Sequence, residues 1–209
     1  MSRIDSRLAP LLEHPAIWRG RSAARVPVLG TGFGALDESL PGGGWPSAGI
    51  VEILTAARGI GELRLLVPLL AALTRTLPAR WSVLVAPPFE PFPPALVAHG
   101  IALESLLVVR TTTPLWAVEL ALRSGSCAAV LAWVERARPR HLRRLQLAAE
   151  QGRTLGFLLR LESALKESSP ASLRILLEPT RDGARLRLIK SRGGARGAVD
   201  VSWSGHGDG

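Results

Sequence analysis

Residues 49–66 read Gly-Ile-Val-Glu-Ile-Leu-Thr-Ala-Ala-Arg-Gly-Ile-Gly-Glu-Leu-Arg-Leu-Leu, and the parsing of this stretch decides the fold. Residues 50–54 are a short apolar run rich in β-branched side chains and closed by small residues, the pattern of a buried strand. A turn of small residues and glycine runs from Thr55 to Gly61, and a leucine-rich helix follows. Strand, glycine turn and helix make the frame of a phosphate-binding loop, in which backbone N–H groups at the helix start cradle anionic oxygens. Such a loop also needs a lysine on the phosphates and a Ser/Thr hydroxyl on magnesium. Here Gly61-Glu62-Leu63 stands where Gly-Lys-Ser/Thr belongs. The frame is present and its chemistry is missing.

Outward from this pivot, strands alternate with helices. Residues 63–77 carry leucines at helical spacing, with Pro68 expected to kink that helix. Further strands are expected at 81–86, 106–109, 127–134 and 154–161, with helices at 94–99, 114–124 and 139–151 between them. This alternation predicts an α/β fold with a mainly parallel central sheet and helices on both faces. Residues 172–178 and 184–190, joined by a Pro-Thr-Arg-Asp-Gly turn, predict an antiparallel C-terminal hairpin. Residues 1–25 read as an amphipathic arm and basic linker, 26–193 as the core, and 194–209 as a flexible polar tail. Trp45, Trp81, Trp116 and Trp133 are expected in the core.

The chain has 209 residues, 47% hydrophobic, which excludes a disordered polypeptide. No apolar run reaches the length of a membrane helix and the N-terminus lacks a signal peptide's apolar core, so a cytoplasmic protein is expected. The single Cys127 lies in an apolar strand and reads as a buried structural thiol. The histidines show no metal-ligand spacing, no nucleophile–base pair is recognisable, and no cofactor is expected. The net charge of +9 is concentrated: residues 136–196 hold 15 Lys/Arg against 5 Asp/Glu. A one-sided basic balance suits nucleic acid or an acidic protein partner.

Thr31-Gly-Phe-Gly-Ala-Leu-Asp37, then Gly42-Gly-Gly-Trp-Pro, then Gly49-Ile-Val-Glu-Ile resembles the entry to the ATPase core of RecA-type recombinases. The similarity continues through residues 100–107, the 121–125 helix end and the strand at 128–133, and returns at Ile189-Lys190-Ser191-Arg192. The catalytic positions depart from that pattern. Besides the absent loop lysine, Pro87-Pro88 occupies the place of the water-activating glutamate, Trp133 that of a strand-end aspartate, and Ala95 that of an adenine-stacking aromatic. Two unit charges roughly 4 Å apart at an effective dielectric of about 20 interact by about 4 kcal/mol. Glu62 in place of a lysine therefore opposes phosphate binding, and the chain is expected not to be an enzyme.

A RecA-like core without ATPase residues, carrying an Ile-Trp-Arg-Gly-Arg arm, resembles the ImuA family of translesion-synthesis accessory proteins in bacterial SOS mutagenesis, historically grouped with the SulA cell-division inhibitors. The resemblance implies RecA, ImuB and an error-prone DnaE-type polymerase as partners. Two alternatives stay open: a SulA-like inhibitor of cell division, and a weak ATPase with a divergent phosphate loop.

Three groups of residues are candidates for function. Thr55, Arg58, Gly59, Gly61, Glu62 and Leu63 form the degenerate phosphate loop, with Arg58 as a substitute cation if an anion site is retained. Arg136, Arg138, Arg140, Arg143 and Arg144, with Lys190 and Arg192, form a basic surface for a protein partner or for weak, non-specific DNA binding; the alternative is a solvated helix face and edge strand. Ile4, Leu8, Leu11, Leu12 and Trp18 form a docking arm, which otherwise folds back on its own domain.

Overall fold

The structure is a computed structural model that describes residues 28–76, 78–191 and 197–203. The arm residues Ile4, Leu8, Leu11, Leu12 and Trp18, and also Arg192, lie outside the described residues. Ten strands are described: β1 (Val28–Leu29), β2 (Trp45–Pro46), β3 (Gly49–Thr55), β4 (Trp81–Val85), β5 (Leu106–Val109), β6 (Cys127–Trp133), β7 (Leu155–Leu161), β8 (Leu173–Pro179), β9 (Gly183–Ser191) and β10 (Gly197–Ser202). The five helices among the described residues are α1 (Gly34–Ser39), α2 (Glu62–Thr74), α3 (Pro93–Ala98), α4 (Pro114–Arg123) and α5 (Pro139–Gly152).

Strands β1 and β2 make a small antiparallel pair. The others form one eight-stranded sheet in the order β10-β9-β8-β3-β7-β6-β4-β5. Pairing is parallel from β5 across to β8, then antiparallel for β8–β9 and β9–β10. The sheet is thus mixed. This corrects the RecA-like, mainly parallel architecture with a two-stranded C-terminal hairpin: the helices are few, and the antiparallel edge has three strands. The third, β10, falls where a flexible tail was expected. It forms because Val199 and Val201 alternate toward the core while Asp200 faces out and pairs with Arg185 at 2.8 and 2.9 Å. Glycine at position 183 allows the close pairing, since a Cβ there would meet the carbonyl oxygen of Val201 at 1.8 Å.

Strand β3 sits fourth from one edge, and all seven of its residues are buried. Leucines of α1, α2 and α3 (Leu36, Leu65, Leu66, Leu96) pack over one face of the sheet. Val118 and Leu122 of α4 and Leu142 and Leu145 of α5 pack over the other. The two β4 neighbours are reached over opposite faces, through α3 to β5 and through α4 back to β6. Loops therefore diverge outside the C-terminal ends of β4 and β6, where open α/β sheets form their crevices.

Of the four tryptophans assigned to the core, Trp45 and Trp133 are buried, and Trp45 stacks edge-on against Phe157 with ring centroids 5.2 Å apart. The other two are corrected. Trp81 is 41% exposed at the start of β4 and Trp116 is 65% exposed on α4. The apolar stripe of α4 is built from Val118 and Leu122, so Trp116 falls on the outer side of the helix. Cys127 is buried, and burial pushes its thiol pKa up, as suits a structural cysteine.

Candidate functional site

The turn between β3 and α2 has the geometry of an anion-binding loop, and the chain fills it with its own carboxylate. Gly61 takes a left-handed conformation, φ 119°, at the start of α2, a region that favours glycine. The Glu62 side chain folds back over the loop. Its Oε1 accepts the Gly59 N–H at 2.7 Å and its Oε2 accepts the Ile60 N–H at 3.0 Å. The indole Nε1 of Trp133, at the end of β6, donates to Glu62 Oε1 at 3.4 Å. Glu62 is only 3% exposed. A carboxylate at a helix N-terminus is also favoured by the helix dipole. Two backbone donors of the cradle, those of Gly59 and Ile60, are engaged, and Trp133, standing at the place of a strand-end aspartate, contributes to the closure.

The other loop residues follow suit. Thr55 is buried at the end of β3. Arg58, the candidate substitute cation, bridges to Glu135 at 2.5 Å across the top of the sheet. Leu63 packs against the core. From just beyond the end of β10, Trp203 closes on the loop: a Cβ at Gly61 would meet its ring at 3.1 Å, Arg64 stacks on it at 5.4 Å, and Phe33 meets it edge-on at 5.8 Å. Sequence reading missed Trp203 because it follows a glycine-rich segment.

Outside this plug lies a cleft of about 740 Å³ between the loop, α2 and residues 87–92. Its outer rim carries Phe89 and Phe92, 65% and 67% exposed, and Val97 of α3 is also exposed. The Pro-Pro-Phe-Glu-Pro-Phe run stiffens this rim, because prolines fix φ. Among the described residues no group of three or more His, Cys, Asp or Glu is placed to hold a metal ion.

A second charged cluster was not singled out in the sequence. Glu52, in the middle of β3, is fully buried between Arg160 of β7 at 2.9 Å and Arg174 of β8, whose Nε lies 2.6 Å from the carboxylate as an ion contact out of hydrogen-bond alignment. Arg160 also reaches Glu167 at 2.7 Å, and Arg174 donates to the carbonyls of Ala164 and Glu167. The signal was visible: a glutamate inside an otherwise apolar strand must be paired. Its partners, more than 100 positions away, were not. Two arginines against two carboxylates leave the cluster close to neutral, a structural clasp across three strands.

The expected basic surface divides. Arg160 and Arg174 belong to the buried clasp. Arg187 pairs with Glu178, and Lys190 donates to the Ser169 carbonyl at 2.8 Å. Arg144 pairs with Glu119 at 2.6 Å. Arg136, Arg138, Arg140 and Arg143 remain exposed at and before the start of α5, well removed from Lys190 on the antiparallel edge. The structure does not bring all the predicted basic residues together.

The fold and loop together define an α/β protein with a phosphate-type loop occupied by its own glutamate. Residues 50–156, which include that loop, match the family described as Cell division inhibitor SulA. The chain belongs to the SulA family. It is 33% identical over 114 residues to the cell division inhibitor SulA of Photorhabdus laumondii subsp. laumondii, covering 53% of this chain and 63% of that protein. It also aligns with the crystal structure of SulA from Pseudomonas aeruginosa at 29% identity and a TM-score of 0.46, covering 53% of this chain and 97% of that one. The match to the Photorhabdus protein thus spans less than two thirds of that relative. Membership of this family corrects the assignment to the ImuA family. With it fall the translesion-synthesis role, the partners RecA, ImuB and DnaE-type polymerase, and the DNA contact that accompanied them. Among the described residues no helix is long and apolar enough to cross a membrane.

Proposed function

We propose that this chain is a non-enzymatic inhibitor of cell division, working in the cytoplasm by docking on a polymerising protein of the division septum. The observation that carries the reading is the family match across residues 50–156, the segment containing the self-occupied loop. The hydrogen bonds that Glu62 accepts from Gly59 and Ile60 favour binding over catalysis, because a nucleotide phosphate would have to displace a tethered carboxylate of like charge. The exposed Phe89 and Phe92 on their stiff rim are the best candidates for the docking anchors, since buried aromatics dominate interface energies.

Expression of the protein in dividing bacteria is expected to give long, undivided filaments. The double substitution Phe89→Ala and Phe92→Ala is expected to restore normal cell length while the protein stays folded and equally abundant. Cells of normal length despite abundant, folded wild-type protein would overturn the reading.

A further inference from the structure

A second surface, on the opposite side of the sheet from the Phe89–Phe92 rim, has the composition of a docking site. Helices α4 and α5 lie side by side there, joined by Glu119, which pairs with Arg123 of its own helix and Arg144 of the next. Their inner stripes are consumed by the core, yet their outer faces carry large apolar side chains that stay exposed among the described residues. Trp116 is 65%, Leu120 57% and Leu147 57% exposed. Trp116 and Leu120 are four positions apart and share one face of α4.

Cations frame these apolar groups. Trp116 and Arg136 line a common groove of about 640 Å³ outside the C-terminal ends of the strands. Arg140 and Arg143 rise from the first turns of α5. No carboxylate pairs with Arg136, Arg140 or Arg143 among the described residues, whereas Arg58, Arg123 and Arg144 nearby are each paired. Tryptophan and arginine around aliphatic anchors are the residues that concentrate binding energy at protein interfaces. Cations without a carboxylate beside exposed apolar groups select an occupant offering carboxylates and apolar side chains together.

We propose that the outer face of α4 and α5 binds an acidic amphipathic helix of a partner protein, with leucine-type side chains against Trp116, Leu120 and Leu147 and carboxylates facing Arg136, Arg140 and Arg143. A nucleic acid fits this surface less well. Among the described residues its only exposed aromatic platform here is Trp116, the two leucines gain nothing from phosphates, and Glu119 and Glu135 interrupt any continuous cationic track. The proposal stands on charge and exposure, and is independent of the division reading.

The test measures fluorescence anisotropy with the full chain and three labelled probes. One is a peptide of about 15 residues, long enough to form a helix on a surface, with leucines at i, i+3, i+4 spacing and glutamates elsewhere. The second replaces the leucines by serine, and the third is a single-stranded oligonucleotide. The leucine–glutamate peptide is expected to bind best, and more weakly as salt rises. Trp116→Ala, and separately the pair Arg136→Gln and Arg143→Gln, should each weaken it at least about tenfold. All these positions are exposed, so unchanged thermal melts would confirm that the variants fold; if Trp116→Ala unfolds, Leu120→Ser serves in its place. No binding of the leucine–glutamate peptide, equal binding of the serine peptide, tighter binding of the oligonucleotide, or affinity indifferent to these substitutions would each overturn the proposal.

Discussion

At the scale of single residues, Glu62 separates this protein from the nucleotide-binding loops whose frame it shares. Its carboxylate satisfies two backbone donors and the Trp133 indole in a nearly dry setting. Glu62→Ala leaves those donors without partners, and an unpaired buried donor costs about 1–3 kcal/mol. The variant is expected to lose stability of that order in denaturant unfolding. It should also acquire what the wild type lacks, an open nest. Millimolar inorganic phosphate should then raise the melting temperature of the variant and leave the wild type unmoved. Equal stabilisation of both proteins would show that the carboxylate does not occupy the anion position. That Glu62 stands at the phosphate position of the motif was legible in the sequence, because its place is fixed by Gly59 and Gly61. That it turns back and fills the loop was not, since the side-chain rotamer that aims the carboxylate at Gly59 and Ile60 leaves no trace in the sequence.

At the scale of elements, the strands and helices of residues 49–191 lie close to where periodicity places them, because each carries its own apolar pattern. The edge strand β10 was hidden by the glycine and arginine residues before it, and its stabilising contacts are non-local: Val201 against the core and Asp200 against Arg185. The exposed positions of Trp81 and Trp116 were equally illegible, since a tryptophan contributes to a hydrophobic pattern whichever way its helix or strand faces. Between α4 and α5, the Glu119 seam makes a testable electrostatic contribution. Hydrogen bonding to Arg144, reinforced by Arg123, holds its carboxyl below the ordinary carboxylate range. A carboxyl with a folded pKa below its unfolded value adds stability that is complete above the unfolded value and is lost as pH falls through the folded one. Glu119→Gln should therefore lower the melting temperature at neutral pH, with the gap to wild type narrowing as the pH falls below about 4. A gap that stays constant across the acid range would assign the loss to packing instead of charge.

At the scale of the whole molecule, the sheet separates the two proposed docking surfaces: the aromatic rim of residues 87–92 over one face, and the helical face of α4 and α5 over the other. The assembly of strands into a mixed sheet depends on partners such as Glu52 and Arg174, which meet only once β8 has crossed beside β3. The local Gly-rich motifs of a RecA-like entry therefore pointed to an architecture that the described residues do not adopt, and the family match overturns the partners inferred with it. A protein with a plugged loop and exposed anchors should act by stoichiometry, not turnover. Added to the purified septum polymer, it is expected to reduce the sedimented fraction in proportion to the molar ratio of the two proteins. The reduction should reach its final value quickly and be independent of added nucleotide beyond what the polymer itself requires. Glu62→Gln, which keeps an acceptor in the nest, should inhibit as the wild type does, while the double substitution at Phe89 and Phe92 should not. Inhibition that grows with time at a small fraction of equimolar protein, and vanishes in Glu62→Gln, would mean that the loop turns over a substrate after all.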